Sequence, residues 1–370
     1  MVRIKKLKAC VLAAFFYPVS GDVQDYPMNI AAILKESQHS VVVYTPDVYP
    51  DGRRVKNKGD NYRGIPIKRF HSYFNISWFS KFWFPKPLNK FDFIHLTGGY
   101  RHWHMFYAYL TKGKAKFLIS PFYPMHPRKF PFNLLTKIID YSVGRYILSR
   151  ADVCFAETNE EAKWLKSLNA KKVVILPNSL LEEIFEKGNA NKFKKKFNIK
   201  NKMILNIGRH VPIKNFEELI DVCKDLDVAV VIGGQETDYT KKVKKFIKRK
   251  NIKNVIFPGF MNLKMKRDAY AACDLFVLTS YRESLGTVLL EAMAQGKPVI
   301  GTNGGGIPNI VPSQSCLYRS GDKETLKLKI KRILRDKKVA DELSKRSISK
   351  AKEFTYEKMK EKYLDILKTL

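Results

Sequence analysis

The sequence predicts an α/β protein made of two doubly wound parallel sheets that face a central cleft. Its 370 residues are too many for one ordinary hydrophobic core, so the length favours two domains. Short apolar runs alternate with amphipathic helical stretches, which is typical of parallel strands covered by helices on both faces. The alternation pauses over residues 181–201 and then begins again. Such domains bind ligands at the carboxyl ends of their strands.

Apolar runs in the sequence predict where the individual strands and helices lie. In the first half they predict helices at residues 29–36 and 132–150, and strands at residues 9–16, 40–44, 91–96, 116–119, 153–156 and 173–176. Acidic residues followed by a basic run make residues 181–201 a linker and a helix. In the second half the apolar runs predict a helical stretch at residues 323–370, and strands at residues 203–207, 229–232, 255–257, 275–278 and 299–301. We therefore predict domains of residues 1–180 and 181–353.

The charge is strongly unbalanced. The chain has 68 basic and 35 acidic residues, a formal net charge of +33. This excess favours an anionic partner, which would be a membrane surface, a nucleic acid or a phosphorylated substrate. The alternative is that lysines simply cover solvated faces.

The five cysteines are far apart at positions 10, 154, 223, 273 and 316. Without a C-x-x-C pair we expect neither a zinc site nor a disulfide framework, and we expect a reducing compartment. The sequence has no signal-peptide pattern and no apolar run of membrane-spanning length. We therefore expect a cytoplasmic protein, soluble or peripheral on the cytoplasmic face of the membrane.

Two glutamates, Glu283 and Glu291, lie on either side of a predicted helix start. Glu283 should lie in the turn that follows a strand, and Glu291 in the helix that begins near Gly286 or Thr287. The free N–H groups of Ser284, Leu285 and Gly286 suit a phosphate. Two carboxylates beside that phosphate can accept hydrogen bonds from sugar or ribose hydroxyls. On this spacing alone, two solvated glutamates at an ordinary turn are the favoured explanation.

Two further motifs change that balance. Gly208, Arg209 and Lys214 follow the first strand of the second half, where an arginine fork and a lysine point charge can neutralise a diphosphate. The glycine loop 304–306 follows a later strand. The alternative readings are a basic loop in a basic protein and a plain tight turn.

The segment from Asp274 to Pro308 resembles the signature of the family-4, or group 1, glycosyltransferases. Its sequence is DLFVLTSYRESLGTVLLEAMAQGKPVI, continuing to GGGIP. The resemblance extends loosely to the N-terminal half, where residues 16–22 look like the glycine loop on the acceptor side and residues 91–95 like a strand with its turn. It implies the two-domain GT-B fold, with Rossmann-like halves and retaining chemistry. It also implies that a C-terminal helix, residues 354–370, crosses back to complete the first domain.

The resemblance assigns roles on the donor side. Arg209 and Lys214 would grip the diphosphate next to Gly208, and Glu283 would touch the sugar ring. Thr287 and the backbone of residues 284–286 would line the donor, Glu291 would hold the ribose hydroxyls, and Gly21 would approach the donor phosphate. The resemblance also implies that no metal or other cofactor is needed, because cationic side chains and a helix dipole take the part of Mg²⁺.

The acceptor side departs from the family pattern. Phe122 stands where the family often has a histidine, Asn309 stands where an acidic residue is usual, and the first loop has one glycine, Gly21, where two are usual. The candidate acceptor-side residues are Asp22, His95, Tyr123 and His126. The departures leave open an alternative, a catalytically weak GT-B protein that binds a nucleotide sugar or a partner without transfer.

Residues 68–90 interleave aromatic and basic side chains. This pattern suits the headgroup zone of an anionic membrane, or stacking on sugars or bases. The alternative is a strand and a helix whose aromatic residues are core. The predicted function is transfer of a hexosyl group from a UDP- or GDP-sugar to a glycan, a lipid-linked or a lipid acceptor. No nucleic-acid-reading motif accompanies the charge, so no nucleic acid partner is expected.

Overall fold

A computed structural model describes residues 6–18, 22–49, 53–55, 61–76, 79–82, 87–98, 103–122 and 132–370, with side chains for all of these except 22–24, 73–76, 79–82, 103–104 and 132. Contacts divide the chain into two compact units. The first comprises the described residues of Met1–Ser179 together with Glu357–Leu370, and the second comprises Leu180–Tyr356.

The first unit is built on a parallel sheet. Its strands are β1 (Lys8–Ala13), β2 (Ser40–Pro46), β3 (Asn61–Tyr62), β4 (Ile65–Phe70), β5 (Ser72–Ile76), β6 (Phe79–Phe82), β7 (Phe93–Thr97), β8 (Lys116–Ser120), β9 (Val153–Ala156) and β10 (Val173–Ile175). Within the described residues, eight of them form one sheet in the order β10-β9-β8-β7-β1-β2-β4-β3, and β5 and β6 form a separate hairpin. Only β3 runs antiparallel in the large sheet.

Helices pack on this sheet. They are α1 (Asp22–Glu36), α2 (Trp103–Thr111), α3 (Phe132–Ile139), α4 (Arg145–Leu148) and α5 (Asn159–Ser167). A π-helical segment, Asp140–Gly144, joins α3 to α4, so residues 132–148 form one helical stretch. Helix α5 begins at a Thr158 cap, whose side chain accepts the Glu161 N–H.

The second unit repeats the architecture. Its helices are α6 (Ala190–Lys196), α7 (Phe216–Cys223), α8 (Asp238–Arg249), α9 (Leu263–Ala272), α10 (Thr287–Ala294), α11 (Ile307–Ile310), α12 (Lys323–Arg335) and α13 (Lys337–Ala351), and its strands are β11 (Lys202–Ile207), β12 (Val228–Gly233), β13 (Val255–Gly259), β14 (Leu275–Leu278), β15 (Val299–Thr302) and β16 (Leu317–Tyr318). The strand order is β13-β12-β11-β14-β15-β16, all parallel.

The strands lie in the core of each unit because both faces of each sheet are covered. In β11 and β14 nearly every side chain is buried, which explains why both read as continuous apolar runs rather than as alternating patterns. Two parallel α/β sheets are the predicted fold class, and the structure confirms it.

The last helix, α14 (Tyr356–Lys368), packs against the first unit. The Tyr363 hydroxyl and the His95 Nδ1 are 2.8 Å apart in the core. At the surface, Lys360 forms an ion pair with Glu36, and the Lys172 ammonium donates to Thr369. Contacts in the core and at the surface therefore anchor the C-terminal segment.

Candidate functional site

Three loops of the second unit meet at one edge of its sheet. They follow β11, β14 and β15, which are neighbours in the sheet. Because these strands are parallel, their carboxyl ends lie at the same edge. The strand order also reverses here, since β12 and β13 lie on one side of β11 and β14 to β16 on the other. Ligands of doubly wound sheets bind at such a switch point.

Two hydrogen bonds tie the loops after β11 and β14 together. The Tyr281 N–H donates to the Ile213 carbonyl at 2.9 Å, and the Thr279 hydroxyl donates to the Lys214 carbonyl at 2.8 Å. These bonds hold Lys214 opposite Glu283, and its ammonium lies 2.5 Å from the Glu283 Oε1. The two side chains are 16% and 17% exposed. The structure therefore brings together a predicted cation and a predicted carboxylate that are distant in sequence.

In the loop after β11, one residue has an exposed side chain and the next has a buried one. Arg209 is exposed, whereas His210 is fully buried and its Nδ1 lies 3.0 Å from the Thr240 hydroxyl. Burial lowers the pKa of His210, so the ring is neutral at physiological pH. The buried ring anchors the loop and leaves the Arg209 guanidinium in solvent, where an anion can reach it.

Gly208 permits close packing at the start of this loop. A Cβ at Gly208 would lie 3.0 Å from the Lys214 Cε, and a Cβ at Gly234 would lie 2.0 Å from the Gly208 carbonyl oxygen. The backbone of the neighbouring loop therefore passes directly over Gly208, and Lys214 folds back across it. Glycine at 208 and 234 is a packing requirement of this edge.

The glycine loop after β15 lies against Glu283. The Gly306 N–H donates to the Glu283 carbonyl at 2.9 Å, and Glu283 and Gly305 form an isolated parallel bridge. A Cβ at Gly304 would lie 2.1 Å from the Tyr281 carbonyl oxygen, and one at Gly305 would lie 2.1 Å from that of Glu283. The glycines thus serve the approach of two backbones, and the loop fixes the segment that bears Glu283.

Helix α10 begins at this edge. Gly286 precedes it in a left-handed conformation, with φ of 85°. Leu285 is buried and Ser284 is exposed, so Leu285 can offer a ligand only its backbone. Thr287 is the first helical residue. The first N–H groups of a helix have no partner within it, which makes this end suitable for a phosphate.

Glu291 lies one turn further along α10 and has partners of its own. It is 7% exposed. The Lys266 ammonium lies 2.9 Å from each carboxylate oxygen, and the Tyr270 hydroxyl donates to Oε2 at 2.6 Å. Both partners come from α9. The Glu291 carboxylate is therefore held rigidly before any ligand binds.

The candidate acceptor-side residues are only partly described. Gly21, Tyr123 and His126 lie outside the described residues. Asp22 begins α1, but its side chain is not described. Most aromatic side chains of residues 68–90 are also outside the described set; Phe70 is described and packs on Tyr44.

His95 lies in the core of the first unit. It is fully buried, its Nδ1 pairs with the Tyr363 hydroxyl, and its Nε2 lies 2.8 Å from the Ser120 hydroxyl. Burial lowers its pKa to about 3. These contacts tie a sheet strand to α14, and a role for His95 toward an acceptor stays a prediction.

Phe122 stands where the sequence pattern led us to expect a histidine. Its backbone has a positive φ of 51°, and its ring makes an edge-to-face contact with Tyr26, with centroids 4.9 Å apart. A left-handed conformation is unusual for an aromatic residue. The position is thus a strained one, occupied by an apolar ring.

Sequence reasoning missed several residues that build the donor-side edge. Lys266 and Tyr270 hold Glu291. Thr279 donates to the Lys214 carbonyl and accepts from the Asn206 amide. The backbone at Gly234 packs against Gly208. Only Gly234, in a glycine pair directly after a strand, carried a signal that could have been read. The others match no motif in the sequence.

Two doubly wound units, one with cations, carboxylates and a helix start at its switch point, define a class of protein that binds phosphorylated ligands at strand ends. The family is given by sequence models. One, described as "Glycosyl transferases group 1", matches residues 188–354, and another, "Glycosyl transferase 4-like domain", matches residues 21–179. The chain belongs to the group 1 glycosyltransferases, a family of enzymes, as the sequence signature predicted.

Curated relatives agree with this assignment. A subunit of phosphatidylinositol N-acetylglucosaminyltransferase from Saccharomyces cerevisiae is 23% identical over 83% of this chain and 70% of its own length. A sulfoquinovosyl transferase of Arabidopsis thaliana is 30% identical, over 39% of this chain. This match spans only 28% of the Arabidopsis protein, and a match to a Methanocaldococcus jannaschii glycosyltransferase spans 44% of that relative.

Solved structures show the same fold over nearly the whole chain. A sucrose-phosphate synthase from Thermosynechococcus elongatus superposes with a TM-score of 0.76 at 16% identity, covering 98% of both chains. HepE from Anabaena, solved with UDP and glucose, also gives 0.76, at 18% identity, covering 98% of this chain and 100% of its own. The predicted GT-B fold is therefore confirmed.

Proposed function

We propose that this protein transfers a hexosyl group, with retention of anomeric configuration, from a UDP- or GDP-sugar to a glycan, a lipid-linked or a lipid acceptor. The observation that carries the proposal is the Lys214–Glu283 pair at the switch point of the second unit. A cation and a carboxylate held 2.5 Å apart beside a helix start suit a ligand with a diphosphate next to a sugar. HepE, with UDP-glucose in one of its structures, is a protein of this fold with such a donor.

The proposed reaction breaks the bond between the anomeric carbon and the phosphate oxygen. Negative charge grows on the departing nucleoside diphosphate, and Arg209, Lys214 and the start of α10 would stabilise it there. Stabilisation of the transition state above the ground state is what accelerates the reaction. These groups supply positive charge without a metal, so we propose that the reaction needs none.

The acceptor oxygen would form its bond to the same face of the anomeric carbon. Its proton would pass to the departing phosphate oxygen, which balances the reaction without a protein base. Positive charge on the sugar ring would be offset by Glu283, which the glycine loop fixes in place. Glu291, held by Lys266 and Tyr270, would accept the ribose hydroxyls.

Two observations support a lipid or lipid-linked acceptor. The yeast relative carries phosphatidylinositol in its name, and the net charge of +33 suits an anionic surface. We propose a cytoplasmic protein that contacts the membrane peripherally. Among the described residues, no helix is both long enough and apolar enough to cross a bilayer.

The test begins with the donor. A thermal-shift panel of UDP-, GDP- and ADP-sugars should give one clear stabilisation, because a ligand that binds only the folded state raises its stability. With that donor, release of the nucleoside diphosphate is measured for Lys214→Met and Glu283→Gln. Each should lower kcat/KM by about 100-fold or more, as loss of one transition-state contact does.

The matched control is Glu342→Gln. Glu342 forms an exposed ion pair with Arg346 on α13, so its loss should leave activity unchanged. Absence of any thermal shift with all the sugars would overturn the proposal. Donor binding without turnover would instead favour the non-catalytic alternative suggested by Phe122 and Asn309.

A further inference from the structure

The helical stretch of residues 132–148 presents its apolar side to solvent. Five large side chains on it are exposed by 44% to 60%, and we call them the outward face: Leu134, Leu135, Ile138, Tyr141 and Tyr146. The opposite side is buried and includes Thr136, Asp140 and Gly144. Only at the C-terminal end, at Ile147 and Leu148, does the stretch bury large apolar side chains. Before that end, the stretch reverses the usual arrangement, in which an amphipathic helix buries its apolar stripe.

The outward face is continuous. Leu134, Ile138 and Tyr141 follow the i, i+4, i+7 spacing of one helix side, and the face from Leu134 to Tyr146 extends about 18 Å at 1.5 Å per residue. The Tyr146 ring also contacts the Tyr109 ring at 5.9 Å, next to Leu110, which is 61% exposed. Apolar patches of this extent on soluble proteins mark interaction sites.

The exposed charges of this stretch itself have one sign. Lys137 and Arg145 are exposed on the same stretch, and the Arg150 guanidinium lies 3.8 Å from the centroid of the Tyr146 ring. Residues 132–150 contain one acidic residue, Asp140, which is 5% exposed. The face is therefore apolar and cationic, with no exposed carboxylate of its own.

The combination of exposed apolar side chains with cations indicates what binds the outward face. A second copy of the chain would place the same cations opposite one another across a symmetric interface, in a protein whose net charge is already +33. An anionic lipid surface instead accepts the leucine and isoleucine side chains among its acyl chains, and its headgroups pair with the cations. Tyrosine suits the headgroup zone, because its ring is apolar and its hydroxyl is polar.

We propose that the outward face of residues 132–148 is a membrane-docking surface that lies in the interface of an anionic bilayer. It is a different segment from residues 68–90, and it stands whether or not the chain transfers a sugar. Docking here would place the first unit of the protein against the lipid, with the helix axis parallel to the membrane plane.

The first experiment measures binding to vesicles by flotation. Wild type should bind vesicles of phosphatidylcholine with 30% phosphatidylglycerol at low salt, and bind phosphatidylcholine alone weakly. The double variant Leu134→Ser with Ile138→Ser should lose about tenfold or more in partitioning, because two apolar anchors are removed. Lys137→Gln should reduce binding less and weaken its dependence on salt.

The matched control removes exposed apolar residues elsewhere. Phe260 and Leu328 are 74% and 68% exposed in the second unit, so Phe260→Ser with Leu328→Ser should bind vesicles as wild type does. All four positions are at the surface, so both double variants should keep the wild-type unfolding midpoint. Equal binding by wild type and the Leu134/Ile138 variant would overturn the proposal.

A second measurement places the helix directly. The five native cysteines are buried, so an environment-sensitive dye can be attached selectively at Ile138→Cys or, as a control, at Leu328→Cys. Only the dye at position 138 should shift to the blue with anionic vesicles. No shift there, or a wild-type dimer that becomes monomeric in the Leu134/Ile138 variant without any vesicle binding, would show that the face serves another purpose.

Discussion

Replacing Lys266 tests whether Glu291 is held in place by a buried charge pair. The Glu291 side chain is 9% exposed and that of Lys266 23% exposed, with both oxygens 2.9 Å from the ammonium. Lys266→Met keeps the stem of the side chain and removes its charge. The Glu291 carboxylate then keeps its hydrogen bond from the Tyr270 hydroxyl. It remains in a site that is almost inaccessible to water.

The cost can be estimated from that burial. Breaking a buried pair by removing one partner costs 3–5 kcal/mol, and the partial exposure of Lys266 places this pair near the lower end, at about 3 kcal/mol. For a unit of this size, each kcal/mol lowers the unfolding midpoint by about 2–4 °C. Lys266→Met should therefore lower the midpoint of the second unit by about 6–12 °C.

The second variant separates charge from packing. In Lys266→Met with Glu291→Gln, the buried group is neutral, so about half or more of the lost stability should return. The control is Lys244→Met, because Lys244 pairs with Glu236 at the same 2.9 Å but both side chains are at least 41% exposed; it should cost under about 1 kcal/mol. Midpoints are measured by calorimetry. A double variant no more stable than Lys266→Met would refute the reasoning.

Two further predictions concern the glycine loop and the His95 core contact. Gly304→Ala places a Cβ 2.1 Å from a backbone oxygen, so the free energy of unfolding should fall by about 1–3 kcal/mol and calorimetry should show weaker nucleotide binding. The control, Asn303→Ala in the same loop, should change neither quantity. Equal effects of the two substitutions would contradict the packing argument. For His95, burial holds the folded-state pKa at about 3, below the ordinary 6.5, so the unfolded chain takes up the proton first as pH falls. The contribution of the neutral His95 ring to the free energy of unfolding is complete above pH 6.5. Below pH 6.5 it falls by about 1.4 kcal/mol per pH unit. Urea unfolding between pH 7 and 4 should show a shallower decline in His95→Gln, and parallel curves would show that His95 does not titrate in this way.

Local patterns in the sequence predicted most of the two large sheets. The strands β11 and β14 are apolar throughout, because both of their faces are covered, and such runs can be recognised without tertiary information. The strands β3, β4, β5, β6 and β16 were not predicted. Strands β3 and β16 have two residues each, and β4, β5 and β6 mix polar or charged residues with apolar ones. Residues 132–150 were predicted as one helix, and the structure adds the π-helical segment Asp140–Gly144, which no local pattern indicated.

The donor-side candidates were also recognisable, as a set of residue types near strand ends. Gly286 precedes α10 where the sequence placed a helix start, and Lys214 and Glu283 follow their strands. Their catalytic roles stay predictions. What the sequence did not indicate is that Glu291 is enclosed by Lys266 and Tyr270, since these helix residues match no motif.

The sequence by itself determined the fold class, the family and the loops that carry charge, because each of these depends on local runs or on a contiguous signature. The tertiary structure decided which groups meet. Lys214 contacts Glu283 because β11 and β14 are neighbours in the sheet, and His95 contacts Tyr363 because the last helix packs on the first unit. Only the structure showed that the helical stretch 132–148 exposes its apolar side, because which side of a helix is covered depends on what packs against it.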